Sequence, residues 1–351
     1  MKRWPDDQLI KLLSIEHPII QAPMAGADSP DMAGAVSEAG GLGSLACALL
    51  TPAQIHTAWK AIRAKTAKPI NLNFFCHKQN ADSPERQERW KKRLAPFYKE
   101  LQLDPDDIPP SPTRAPFDDS FCAVVEEIKP PVVSFHFGLP EEALLKRVKK
   151  TGAVILSSAT TVEEAVWLEE HGCDAIIAQG SEAGGHRAMF LTADISTQVG
   201  TAVLVPQIVE ALSVPVVASG GIGDAQGIRA ALALGASAVQ LGTAYLFCRE
   251  AKISPLHLAA LSSTPGDGTA ITNIFSGRPA RGIINRLVRT IGPMSADAPE
   301  FPYASRLINP LRAASEAAGS IDFMQMWSGQ AAALGRPTDA AALTRELANK
   351  S

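Results

Sequence analysis

A chain of 351 residues with 46% hydrophobic and 20% charged side chains has the apolar material for a large core, and since α/β barrels of about 250 residues fold as one unit, one barrel plus an appended segment is the simplest organisation. A formal net charge of -3 offers no broad attraction for phosphate backbones or anionic lipid, so nucleic-acid and membrane partners are not expected and a small-molecule substrate is. Cys47, Cys76, Cys122, Cys173 and Cys248 are scattered with no CxxC pair, which speaks against a metal site or a disulfide framework and fits a reducing cytoplasm.

The opening residues Met1 to Asp7 are charged and precede no signal-type apolar run, and no stretch of about 18 apolar residues follows, so neither export nor membrane insertion is expected. Short Val/Ile-rich runs then recur, each followed by an amphipathic Ala/Leu/Glu-rich stretch. That is the pattern of parallel strands buried on both faces and joined by crossover helices. Strands are expected at Ile19 to Ala22, Gly43 to Cys47, Ile70 to Phe74, Val132 to Phe135, Val154 to Ser157, Ala175 to Gln179, Val216 to Ser219 and Ala238 to Leu241. Helices are expected near 31–39, 52–65, 140–150, 161–171, 200–212 and 224–234, with two more between 84 and 127. Eight such units close most simply into a (β/α)8 TIM barrel, an α/β fold, whereas an open doubly wound sheet needs only about five or six strands.

The stretch from about Gln79 to Pro131 interrupts the beat, because Pro105, Pro109, Pro110, Pro112 and Pro116 forbid continuous helix; it reads as an elaborated loop over the barrel. The expected organisation is a barrel over 1–250 with this inserted loop at about 79–131, an appended small, mainly helical subdomain over 251–335 that covers the open face, and a C-terminal helix in 336–351. Within the subdomain, helices are expected at 303–318 and 322–335, and the terminal helix at Asp339 to Asn349.

Four loops carry the chemistry. Ala218-Ser219-Gly220-Gly221-Ile222-Gly223-Asp224 ends the seventh strand, and Gln240-Leu241-Gly242-Thr243 ends the eighth. At that position in a barrel, side-chain-free backbone points N–H groups at an anion while a helix N-terminus adds its dipole, so a phosphate-bearing ligand is expected; a pair of tight turns is the plainer alternative. After the sixth strand, Gln179-Gly180-Ser181-Glu182-Ala183-Gly184-Gly185-His186-Arg187 brings the backbone close to something flat and projects His186 at the catalytic face. There it is a general base, a hydrogen-bond donor or an anion partner, while Glu182 and Arg187 could equally form a loop salt bridge and are assigned no catalytic role. Gln21-Ala22-Pro23-Met24-Ala25-Gly26 leaves the first strand through a proline turn that sets Met24 either against a planar ring or in ordinary core. Asn71 and Asn73 share one side of the third strand, and Asn73, nearer its C-terminal end, is the better ligand candidate. His136, at the end of the fourth strand, reads as a satisfied histidine before a second catalytic one.

These motifs, together with Ala39-Gly-Gly-Leu-Gly43 and Ser134-Phe-His-Phe-Gly138, resemble those of the nitronate monooxygenase family, formerly called 2-nitropropane dioxygenases, over most of the chain. The resemblance implies FMN as cofactor, its phosphate over Gly221, Gly242 and Thr243, with Ser219 at the ribityl or phosphate end and Gly220 and Gln240 in the same loops. It implies a flavin ring near Ala22, Pro23, Met24 and Asn73, with Gln179, Gly184 and Gly185 alongside. Trp327-Ser328-Gly329-Gln330 looks like a late motif that returns to the flavin through Gln330, and His186 matches the histidine that deprotonates a nitroalkane or stabilises the bound nitronate. The implied reaction is oxidation of a nitronate by O2 to a carbonyl compound and nitrite, with no metal. NAD(P)H-dependent reduction of quinones or enoyl thioesters is the alternative, and a non-catalytic barrel binding a phosphorylated ligand is the third. Oligomeric state stays open.

Overall fold

The computed structural model describes residues 4–108 and 115–351; Pro109, Pro110 and Pro112 of the inserted loop lie outside the described residues. Six strands come first: β1 (Ile19–Gln21), β2 (Gly43–Ala46), β3 (Ile70–Phe75), β4 (Val132–His136), β5 (Val154–Ala159) and β6 (Ala175–Gln179). A two-residue strand, β7 (Gly185–His186), belongs to another sheet, and β8 (Val216–Ser219) and β9 (Ala238–Leu241) complete the eight. These eight run parallel in the order β1-β9-β8-β6-β5-β4-β3-β2. The two outer strands meet, since Gln21 N donates to Leu42 O at 2.9 Å and Leu42 N donates to Ile19 O at 2.9 Å. The sheet therefore closes into the expected TIM-type barrel.

The two-residue period of a strand divides each one between the outside and the inside of the barrel. Ile19, Leu45, Leu72, Val133, Ile155, Ile176, Ala218 and Val239 face the helical layer. Ile20, Leu42, Val132, Leu156, Ala175, Ile177, Val217 and Ala238 fill the interior, sealed from below by Leu9 and Leu13 of helix α1 (Gln8–Leu13). Continuing the same parity upward brings Ala46, Asn73, Ser134, Ser158, Gln179, Ser219 and Gln240 to the upper end of the interior, a polar storey on an apolar floor. Asn71, buried below it, donates to Ser44 Oγ at 3.1 Å and to Ser134 Oγ at 2.9 Å. Such a bond contributes about 1 kcal/mol net, while burying one Ile or Leu contributes roughly 1.5–3 kcal/mol, so the floor holds the barrel and leaves the polar storey free for function.

The crossover helices begin where short polar side chains cap them. In α2 (Pro30–Glu38) Ser29 accepts Met32 N–H, and in α3 (Pro52–Arg63) Thr51 and Gln54 form a reciprocal capping box. The inserted stretch holds the two helices expected between 84 and 127, α4 (Pro84–Glu100) and α5 (Asp119–Ile128), of which α5 packs on α3 and on α6 (Glu142–Lys150) as a barrel helix. The layer continues with α7 (Val162–Glu170), α8 (Thr201–Ala211), α9 (Ala225–Ala233) and the single turn α10 (Thr243–Leu246).

The appended segment contains α11 (Pro255–Ser263), β10 (Thr269–Thr272), β11 (Ala280–Ile283), α12 (Arg286–Ile291) and α13 (Ser305–Ala317). The expected helix at 322–335 does not form. There the backbone joins the second sheet instead: Ile283 N donates to Met326 O and Gln330 N to Glu182 O, leaving only a 3-10 turn at Ala332–Leu334. That sheet is antiparallel, in the order β10-β11-β7, a feature the sequence reading did not contain. The terminal helix α14 (Ala340–Lys350) packs between α9 and α2, with Thr344 Oγ1 2.8 Å from Tyr245 Oη, and so takes the place of the eighth barrel helix. That place is open because α10, which follows the last barrel strand, is a single turn; α4 packs instead on the appended segment. Trp90, Leu94 and Tyr98 pack with Leu307, Ile308 and Leu311 of α13, and Tyr98 Oη donates to Leu307 O at 2.7 Å.

Trp90 is fully buried in this contact. Trp90→Ala is therefore expected to lower unfolding stability by about 3–5 kcal/mol, the range for removing a core aromatic. A urea-unfolding loss under about 0.5 kcal/mol, the surface range, would mean that α4 is solvated rather than packed on α13.

Candidate active site

Above the polar storey lies a cavity of about 350 Å³, within the size range of small-molecule sites. It lies at the C-terminal ends of the strands, where the βα loops of this fold converge. Of the residues singled out in the sequence, Ala22, Pro23, Met24, Asn73, Gln179, Gly184, Gly185, His186, Ser219, Gly220, Gly221, Gln240, Gly242 and Thr243 all line it. Gln330 does not: it is exposed, its backbone N–H is held by Glu182 O, and its neighbours Gly329 and Ala331 line the cavity in its place.

The phosphate-type loops have the required form. Gly220 (φ 119°) and Gly221 (φ 68°) both lie in the left-handed region, and a Cβ at Gly220 would stand 2.8 Å from Thr201 Oγ1. Thr243 Oγ1 accepts Gly329 N–H at 2.9 Å, tying the end of the second loop to the late Trp327–Gln330 stretch. Gln240 Oε1 is buried with no hydrogen-bond partner among the described residues, a polar atom that calls for a ligand. Gly185 (φ 74°) has open space where a Cβ would project. An orphaned acceptor, bare glycine backbone in two loops and open space beside Gly185 fit a flavin mononucleotide.

The His186 loop is not built on a Glu182–Arg187 salt bridge. Glu182 turns away from Arg187 and caps α8, accepting Thr201 N–H at 2.9 Å and Thr201 Oγ1 at 2.9 Å, because Gly200 supplies no capping side chain. Arg187 is fully buried, donating from Nε to Gln198 Oε1 at 2.7 Å and from Nη2 to Gln179 O at 2.7 Å. Gln179 is itself occupied: its Nε2 donates to His186 O at 3.0 Å and its Oε1 accepts Ala188 N–H at 2.8 Å. Its carboxamide thus shapes the loop at the edge of the cavity that the residue lines.

His136 lines the cavity beside His186, and its Nε2 lies 3.2 Å from His186 O. Burial and the nearby Arg278 guanidinium push its pKa down to about 3, so at neutral pH the ring is uncharged and carries its proton on the nitrogen facing that carbonyl. Asn73 Nδ2 donates to Ser134 Oγ at 2.9 Å. The imidazole of His186 stands edge-on to Phe75, Phe137, Phe301 and Trp327 at centroid distances of 5.3–6.3 Å, and its Nε2 is 2.9 Å from Ser276 Oγ.

Several residues at this site escaped the sequence reading. Ser276 and Arg278 come from the turn between β10 and β11, some ninety positions after His186, with only Gly277 between them to mark a turn. Arg278 places its guanidinium 3.8 Å from the Phe137 ring centre and donates to Met189 O. Lys252, His257 and Arg312 also line the cavity from the appended segment. Asp28 is a clamp under the first loop: its Oδ2 accepts Met24 N–H and Ala46 N–H, each at 2.9 Å, and burial raises its pKa to about 7. The signal for it was an acid four residues after Met24, in reach of the turn's own backbone. Among the described residues no group of three or more His, Cys, Asp or Glu is placed to hold a metal, and no helix is long and apolar enough to cross a membrane.

A closed parallel barrel whose last two strands end in glycine loops, with a histidine held across the mouth, defines the class of flavin-dependent TIM-barrel oxidoreductases. The nitronate monooxygenase family profile matches residues 6–350, and the chain belongs to that family. It is 40% identical over 349 residues to a nitronate monooxygenase of Pseudomonas aeruginosa, covering 97% of this chain and 98% of that protein. A nitronate monooxygenase of Paraburkholderia phytofirmans is 40% identical over 341 residues, with 97% and 93% covered. Among solved structures, nitroalkane oxidase from Streptomyces ansochromogenes superposes with a TM-score of 0.87 at 37% identity, covering 98% of this chain and 97% of that one. FabK from Thermotoga maritima superposes with a TM-score of 0.74 at 28% identity, covering 97% and 94%.

Because the folded-state pKa of Asp28 lies above its ordinary value of 3.8, its contribution to stability is complete at acid pH and declines as pH rises towards about 7. Asp28→Asn removes this titration. The melting temperature of the variant relative to the parent is expected to climb between pH 4 and pH 7 and then level off; a difference that stays constant across that window contradicts a neutral buried carboxyl.

Proposed function

We propose that this enzyme binds FMN in the barrel mouth and oxidises alkyl nitronates with O2 to a carbonyl compound and nitrite, and that His186 takes the α-proton of a neutral nitroalkane. The observation that carries the reading is His186 itself, fixed at its carbonyl and at its ring beside a cavity bounded by glycine backbone. In this reading the FMN phosphate is held by the main chain at Gly220, Gly221, Gly242 and Thr243, and the ring lies against Ala22, Pro23, Met24 and Gly185. Gln240 supplies its unpaired amide oxygen as an acceptor for a flavin N–H or a ribityl hydroxyl. The flavin, when bound, supplies the exchange of electrons between nitronate and O2; the chain supplies position and charge.

The charge has a visible source. Arg187, Arg278 and Arg281 surround the His186 loop and bind carbonyls, hydroxyls and an amide rather than carboxylates. Burial lowers the pKa of Arg187 to about 9 and that of Arg278 to about 10, which leaves both cationic at neutral pH. Their summed positive potential favours a nitronate over its neutral parent and helps His186 to remove the proton that makes it. The segment 251–335 is the wall that shapes the rest of the cavity.

The test is to release and identify the chromophore, then to mix the holoenzyme anaerobically with a nitronate, NADH or NADPH. The expected results are FMN and loss of flavin absorbance with the nitronate. Bleaching by NADH or NADPH alone would assign the chain to quinone or enoyl-thioester reduction. Colourless protein that takes up no added flavin would leave only the phosphate-ligand-binding barrel.

A further inference from the structure

We infer that Ser276 is a positioning residue that fixes the tautomer of His186, so that Nε2 carries the proton and Nδ1 is the nitrogen that receives one from the substrate. The inference rests on the proposed role of His186 as base.

Ser276 is fully buried in the turn that joins β10 to β11. Its Oγ has three neighbours: His186 Nε2 at 2.9 Å, Arg278 O at 3.2 Å and Arg278 N at 3.4 Å. A hydroxyl owns one proton and two acceptor positions. Arg278 O can only accept, so it takes the Ser276 proton; Arg278 N–H can only donate. The remaining contact is then satisfied only if His186 Nε2–H donates to Oγ. The alternative, Oγ–H donating to Nε2, leaves the Arg278 contacts without a proton for the carbonyl.

The turn cannot drift away from this arrangement. Gly277 sits at φ 87°, with Pro299 O 2.2 Å from where a Cβ would stand, and Gly277 N donates to Asn273 O at 2.8 Å. Arg278 anchors the far side through Phe137, itself in the left-handed region at φ 71°, and through Met189 O. The backbone of His186 is held independently, by Gln179 and His136 at its carbonyl and by β11, where His186 pairs with Ala280. Ser276 therefore adds a constraint the backbone contacts lack, on the rotation and proton placement of the ring. This is the role of the orienting third group in base-assisted catalysis, filled here by a hydroxyl.

The tautomer is read directly on the parent holoenzyme, without substrate, from the ring-nitrogen shifts of ¹⁵N-histidine-labelled protein. Protonation at Nε2 is expected, and protonation at Nδ1 overturns the inference even where no variant folds. In kinetics, Ser276→Ala is expected to lower kcat on neutral nitroalkane roughly ten- to hundredfold, part of the 10²–10⁴ that a positioned base supplies. KM and the oxidation of preformed nitronate should change far less, and Ser276→Thr, which keeps the hydroxyl, should restore the rate. Equal loss with both substrates, or no loss with either, overturns the positioning role. A parent enzyme inactive on both substrates would defeat the functional reading instead, and the tautomer would still decide this one.

Discussion

The carbonyl of His186 accepts two donors, Gln179 Nε2 from the end of the sixth barrel strand and His136 Nε2 from the end of the fourth. This group joins the barrel to its cap, alongside the bonds that Gly329 N–H and Gln330 N–H make to Thr243 Oγ1 and Glu182 O. Immediately after Gln179 the chain leaves the barrel, and its next extended residues pair with β11 of the second sheet. The two donors hold this ribbon above the polar storey. Without them the glycine-rich loop would have the freedom its composition confers, and ordering such backbone costs about 1–2 kcal/mol per residue.

The electrostatics of the site follow from the same join. Bringing the ribbon down buries Arg187, and bringing the β10–β11 turn against it buries Arg278, while Glu164 and Glu182 are directed to backbone and hydroxyl donors of their own. A local excess of positive charge results in a chain whose net charge is -3. Burial and then this charge keep His136 neutral, and the charge suits an anionic ligand, so overall charge says nothing about the polarity of the mouth.

How much of this was legible in the sequence depended on the range of the interactions. The barrel strands were legible because burial on both faces demands uninterrupted Val, Ile and Ala; the expected Ala175 to Gln179 matches β6 end to end, and Gly43 to Cys47 overruns β2 by one residue. The glycine loops were visible because a left-handed backbone leaves a compositional mark at Gly220 and Gly221. The cap was not. β10 and β11 are four-residue segments, Thr269–Thr272 and Ala280–Ile283, with no alternation of polarity to announce them, and their partner β7 lies about a hundred residues earlier. Ala331 to Leu334 carries good helix formers, but Gly329 must lie within reach of Thr243 and Glu182, and that tertiary demand overrides propensity. Helix α4 was visible as a helix, while its partner α13 was invisible from local sequence. Ser276 and Arg278 were missed for the same reason.

The central claim is that this join places a base, rather than a merely structural histidine, at the mouth of a flavin barrel. It is tested most directly by His186→Asn, which keeps a polar group of similar reach, assayed for flavin content and for turnover of a neutral nitroalkane. The account predicts full flavin content with turnover reduced by at least about a hundredfold. Turnover at the parent rate would contradict it.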